Sequence, residues 1–97
     1  MDISADHLAV VAKILTEYVP GMEVWAFGSR INGTPKKHSD LDLAVISSQP
    51  LKTSLLGNLK EAFMESDLPF KVDVVDWAAT SMEFKKIIEA KHEVIQR

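Results

Sequence analysis

Residues 27–45 read FGSRINGTPKKHSDLDLAV: a Gly-Ser pair, a polar loop, then two aspartates one residue apart in an apolar run. Acidic residues at alternating positions are poor choices for the middle of a buried strand. On a strand, side chains alternate between faces, so Asp40 and Asp42 share one face while Leu41, Leu43 and Val45 share the other. The apolar set can enter a core and leave both carboxylates side by side on the opposite surface. Further along, FKVDVVDW repeats the design, with Val72 and Val74 facing one way and Asp73 the other, alongside Lys71 and Val75. If the two strands are neighbours, three carboxylates converge on one patch. Two unit charges ~6 Å apart repel by roughly 2–3 kcal/mol at an effective dielectric of about 20. That is a large part of a small domain's stability of about 5–10 kcal/mol. A bound divalent cation reverses the sign, and all-oxygen donors suit magnesium or manganese. A lone Asp-x-Asp is ordinarily a solvated strand edge, however, so the decision rests on what precedes it.

What precedes it is Gly28-Ser29, at the end of the short apolar run EVWAF (Glu23 to Phe27). A glycine there lets a bulky group approach the backbone, and Ser29 can cap a following turn whose N–H groups attract phosphate. Arg30, Lys36 and Lys37 are cations able to assist with a phosphate, although charged loops are more often only solvated. Two other motifs fail. Gly28 and Gly33 have the outer spacing of a P-loop, but Thr34-Pro35 occupies the place of the required Lys and Ser/Thr. His92-Glu93 begins like a zinc-protease H-E-x-x-H, but Gln96 stands where the second histidine belongs. His7 and His38 read as surface residues.

The rest of the chain sets bounds. Its 97 residues suit one domain, spanning 1–97, with a modest core that a homo- or hetero-oligomer would supplement. The net charge of −3 argues against nonspecific nucleic-acid binding, which wants a basic face. Without cysteine there is no disulfide, zinc-thiolate site or thiol chemistry. MDISADHL lacks a secretory pattern and no apolar stretch approaches the ~20 residues of a membrane span, so a cytoplasmic location is expected. Leu8, Val11, Ala12, Leu15 and Val19 predict a first helix, with Ser4 as N-cap and Pro20-Gly21 as its stop. Asp40 to Ile46 predicts a second strand; Leu51, Leu55, Leu59, Ala62 and Phe63 predict a second long helix. A third strand is expected over Phe70 to Trp77, with Asp76 as a strand-end or capping residue outside the carboxylate pattern. From Ser81 onward, Phe84, Ile87, Ile88, Lys91 and Ile95 predict one terminal helix. Trp25 and Trp77 are expected in the core, with a partner surface as the alternative. The fold class expected is α/β (α+β): a small mixed sheet with helices packed on it.

Gly28-Ser29, ten intervening residues, Asp40-Leu41-Asp42 and the later KVDVVD together resemble the signature of the DNA polymerase β-like nucleotidyltransferase superfamily. At this length the chain is similar to its minimal nucleotidyltransferases. The resemblance implies a polymerase β palm-like fold, Asp40 and Asp42 as magnesium ligands, and Asp73 as ligand of the catalytic metal and a candidate base. It implies Gly28, Ser29 and Arg30 at the nucleotide, with ATP or another NTP as substrate and Mg2+ (or Mn2+) as cofactor. The activity implied is transfer of a nucleoside monophosphate, AMP from ATP above others, to a hydroxyl on an acceptor protein. The implied partner is a small helical HEPN-type toxin, for which such proteins serve as antitoxins. The alternative is a non-catalytic antitoxin that neutralises the toxin by binding. The sequence leaves the base preference and acceptor open.

Overall fold

The computed structural model describes residues 3–32 and 40–97. Helix α1 (Ala5–Tyr18) starts where expected, the Ser4 hydroxyl accepting the His7 N–H at 3.2 Å. Its inward face is Val11, Ile14, Leu15 and Val19, whereas Ala12, expected inside, is exposed. Strand β1 (Glu23–Phe27) leads through Gly28 into the single turn α2 (Ser29–Asn32). Strand β2 (Leu41–Ile46), helix α3 (Thr53–Met64) and strand β3 (Val72–Asp76) follow, and β2 and β3 pair in parallel. A parallel pair needs a crossover, and α3 supplies it. Asp76 then behaves as the sequence suggests. One carboxylate oxygen accepts the Ala78 N–H at 3.3 Å, capping a 3-10 turn over Trp77–Ala79, and the other accepts the Leu51 N–H at 2.9 Å.

The C-terminal segment departs from expectation. Helix α4 (Met82–Ala90) ends at Lys91, whose backbone is extended, and Glu93–Gln96 forms a fourth strand, β4, antiparallel to β1. The helix expected to include Lys91 and Ile95 is therefore a helix and a strand. The break carries neither glycine nor proline. Instead the His92 ring nitrogen Nδ1 sits 3.2 Å from the Ile88 and Glu89 carbonyls, at the end of the helix. Val94 and Ile95 are β-branched and prefer a pleated surface. Gln96 locks the strand by donating through Nε2 to the Val19 and Met22 carbonyls at 2.8 and 2.9 Å, at the end of α1.

The sheet order is β3-β2-β1-β4. One face carries the main core, in which Val24, Ala26, Leu41, Leu43, Val45 and Val74 meet α1 and the Leu59 and Phe63 side of α3. The other face is covered in part by α4, whose buried Ile88 packs on Phe27 and Ala44, with Trp25 and Trp77 partly buried beside them. The strand alternation expected from the sequence thus divides the apolar residues into a large core and a small one. Burying each leucine or valine side chain stabilises by about 1.5–3 kcal/mol, so the first face dominates stability.

Candidate active site

The second face is left open at one end, where the aspartates lie. Asp42 and Asp73 are directly opposite each other across the parallel β2–β3 pair, while Phe27, the last residue of β1, faces Asp42 from the other side. The condition set by the sequence, that the two strands be neighbours, is met. Gly28 has φ +87°, a left-handed conformation, and a β-carbon built on it would strike the Asp42 carboxylate. Glycine is therefore required twice here, once for the backbone and once for the space beside Asp42. The Gly28 carbonyl accepts the Ile31 N–H at 3.0 Å, turning the chain at once into α2 with Ser29 as its first residue.

A cavity of about 320 Å³ covers this end. Gly28, Asp42 and Asp73 form its polar side; Phe84, Ile87 and Lys91, one stripe of α4 and its cap, form the facing wall. The stripe was visible in the sequence as i, i+3, i+7 spacing, but the spacing alone assigns it to a core. Only the placement of α4 over half the sheet turns it into the wall of a cleft, with Phe84 set edge-on to Phe27 at 5.6 Å between ring centroids.

The electrostatics follow from this packing. Burial raises the Asp42 carboxyl, and the charges of Asp73 and then Asp40 add to it, pushing its pKa up to about 6. Asp40 is exposed and lies just ahead of β2 rather than in it. The expected trio is thus a facing pair with a third carboxylate at the rim. Among the described residues no three acidic or histidine side chains close on a metal ion by themselves. The donor set still fits a hard divalent cation, because Asp42 is held half-buried among like charges that a cation would relieve. Arg30 lies elsewhere than the cleft wall, its guanidinium 4.3 Å from the Phe70 ring centre. Gly33, Lys36, Lys37 and His38 lie outside the described residues. His92 stacks on Trp25 at 3.9 Å between ring centroids.

Comparison with known proteins bears on the family and the fold. The family described as "Polymerase beta, Nucleotidyltransferase" matches residues 10–97. A relative from Haemophilus influenzae, "Probable protein adenylyltransferase MntA", is 54% identical over 96 residues, covering 99% of this chain and 84% of its own. Among solved structures, a toxin-antitoxin with AMP-PNP superposes with a TM-score of 0.75 at 25% identity, covering 91% of this chain and 71% of that one. An MNT antitoxin in complex with tri-AMPylated Shewanella oneidensis HEPN toxin shares the fold, with a TM-score of 0.67 at 21% identity over 91% of this chain and 67% of that one. With its Gly-Ser turn, its facing aspartates and a family match over nearly its whole length, this chain belongs to the polymerase β nucleotidyltransferase family.

Proposed function

We propose that the protein transfers AMP from ATP to a side-chain hydroxyl of a partner protein, and that the partner is a HEPN-type toxin for which it is the antitoxin. The observation that carries the reading is the Asp42–Asp73 pair beside Gly28, at the mouth of a cleft large enough for part of a nucleotide. The 54% identical relative is a probable protein adenylyltransferase, and the solved structure at 25% identity is a toxin-antitoxin with AMP-PNP.

In this mechanism Gly28 and Ser29 bring the backbone against the phosphates, and Gly28 leaves room for them beside Asp42. Asp42 and Asp73 would hold Mg2+, with Asp40 as the further carboxylate on the same side; Mn2+ would suit the same oxygens. When bound, the cation neutralises negative charge on the phosphates and lowers the barrier to displacement. Asp73 lies on the edge strand β3 and is exposed, so a second macromolecule can reach it. There its carboxylate orients the acceptor hydroxyl and takes its proton. The acceptor oxygen bonds to the α-phosphorus as the bond to pyrophosphate breaks. A tyrosine acceptor, with an ordinary pKa near 10, needs this help at neutral pH. The site works in a cytoplasmic setting, where ATP and magnesium are both supplied.

Incubation of the protein with the HEPN-type partner, ATP and magnesium should add AMP to the partner, read by intact mass. Asp73→Asn should abolish the addition. If neither protein gains AMP, the transferase reading fails. If the variant still neutralises the toxin in a stable complex, binding is the antitoxin mechanism.

A further inference from the structure

Strand β3 is an edge of the sheet, and among the described residues it pairs with β2 alone. The Leu41 N–H donates to the Lys71 carbonyl at 2.9 Å. Successive residues of a strand direct their backbone groups to opposite sides. Lys71, Asp73 and Val75 therefore bond towards β2, and Val72 and Val74 aim their N–H and C=O groups away from it. Such an edge is a template for another extended chain.

Next to this edge, below α3, lies a cavity of about 460 Å³, larger than the cleft described above. Its apolar lining includes Phe63, Phe70 and Met64, and Met64 is 82% exposed, the largest value among the exposed apolar side chains. Lys60, one turn before Met64 on α3, and Lys71 supply positive charge to it in a chain of net charge −3. Asp73 lines both this groove and the cleft, so the two meet at the carboxylate that faces the acceptor.

We infer that this groove docks the acceptor-bearing segment of the partner protein as an extended strand added to β3, with its hydroxyl side chain at Asp73 and acidic residues opposite Lys60 and Lys71. The inference rests on the protein-modifying reading above. Main-chain bonds to Val72 and Val74 supply affinity that does not depend on sequence, and the flanking lysines select acidic neighbours. The apolar floor takes the side chains that alternate inward. Apart from Asp73, the groove shares no lining residue with the cleft proposed for the nucleotide, which is walled by Gly28, Asp42 and the α4 stripe.

The probe is a synthetic peptide with one tyrosine flanked by aspartates, compared with lysine-flanked and backbone N-methylated versions. Without ATP, the aspartate peptide should shift the amide NMR signals of Val72 and Val74. The N-methylated and lysine-flanked versions should bind more weakly. Lys60→Glu and Met64→Glu, both at exposed positions, should weaken peptide binding and raise the peptide KM by about tenfold. Affinity for ATP with magnesium, and the melting temperature, should stay at the parent's values. Signal shifts confined to the α4 side of the cleft, or an unchanged peptide affinity in both variants, would overturn the docking groove even if AMP transfer proceeds. Binding at the β3 edge without transfer to the peptide or to the HEPN-type partner supports the groove and counts against the transferase reading instead.

Discussion

Asp42 concentrates the conflict between folding and chemistry. Its pKa, raised from 3.8 to about 6 by burial and by Asp73 and Asp40, means that its charged form is disfavoured in the fold. A raised carboxyl favours folding most when protonated, below the unfolded value near 4, and that contribution disappears as pH rises through about 6. Asp42→Asn removes the charge at similar size, so the metal-free variant should be more stable than the parent at pH 7 to 8. The advantage should shrink as pH falls from about 6 towards 4, as denaturant melts at several pH values would reveal. Its size is kept small by solvent screening of a half-exposed group. A variant less stable than the parent at pH 8 would mean that Asp42 makes a structural bond instead. Activity should meanwhile fall by orders of magnitude. Gly28 is the second test at this scale. Gly28→Ala places a β-carbon against the Asp42 carboxylate and forces a left-handed backbone, a cost of about 1–2 kcal/mol from the backbone alone. Lower stability together with weaker ATP binding is expected, and an unchanged affinity would reduce Gly28 to a turn residue.

At the scale of elements, the C-terminal strand shows how a local pattern yields to a distant partner. Phe84, Ile87, Ile88, Lys91 and Ile95 keep helical spacing across the break, so periodicity alone continues the helix. Two interactions end it: His92 at the last carbonyls of α4, and Gln96 reaching two carbonyls more than seventy residues away in sequence. Gln96→Ala removes the side-chain donor from the Val19 and Met22 carbonyls, of which Val19 still accepts the Met22 N–H at 3.3 Å, and should cost about 1–2 kcal/mol in urea melts. The loss should be accompanied by faster amide exchange in β4 and in the adjoining β1. If exchange in β4 is unchanged, pairing with β1 alone holds the strand.

For the molecule as a whole, one sheet serves two purposes on its two faces. The α1–α3 side supplies most of the buried apolar surface, which allows the other face to carry uncompensated carboxylates. Binding then becomes visible as stability: ATP with magnesium at ~100 times the dissociation constant should add about 2.7 kcal/mol, read as a rise in melting temperature. Because Asp42 must lose its proton to hold a cation, magnesium affinity should weaken as pH falls through about 6. Titration calorimetry in buffers of different ionisation enthalpy would detect the released proton. No thermal shift with any divalent cation and nucleoside triphosphate would remove the active-site assignment.

Much of this was legible in residues 27–45. Alternation put Leu41, Leu43 and Val45 on the core side and Asp42 opposite them, because strand side chains alternate whatever the neighbours are. The Gly-Ser turn and the capping roles of Ser4 and Asp76 followed from similarly local rules, while the pairing of the Asp73 strand with the Asp42 strand was only a condition of the sequence reading, which the fold meets. The tertiary structure alone decided three things. It placed Asp40 at an exposed rim, made β4 from the end of an apparent helix, and set Phe84, Ile87 and Lys91 across from the aspartates. Each depends on which surfaces meet across long sequence separations, through hydrogen bonds and burial that neither spacing nor propensity along the chain encodes.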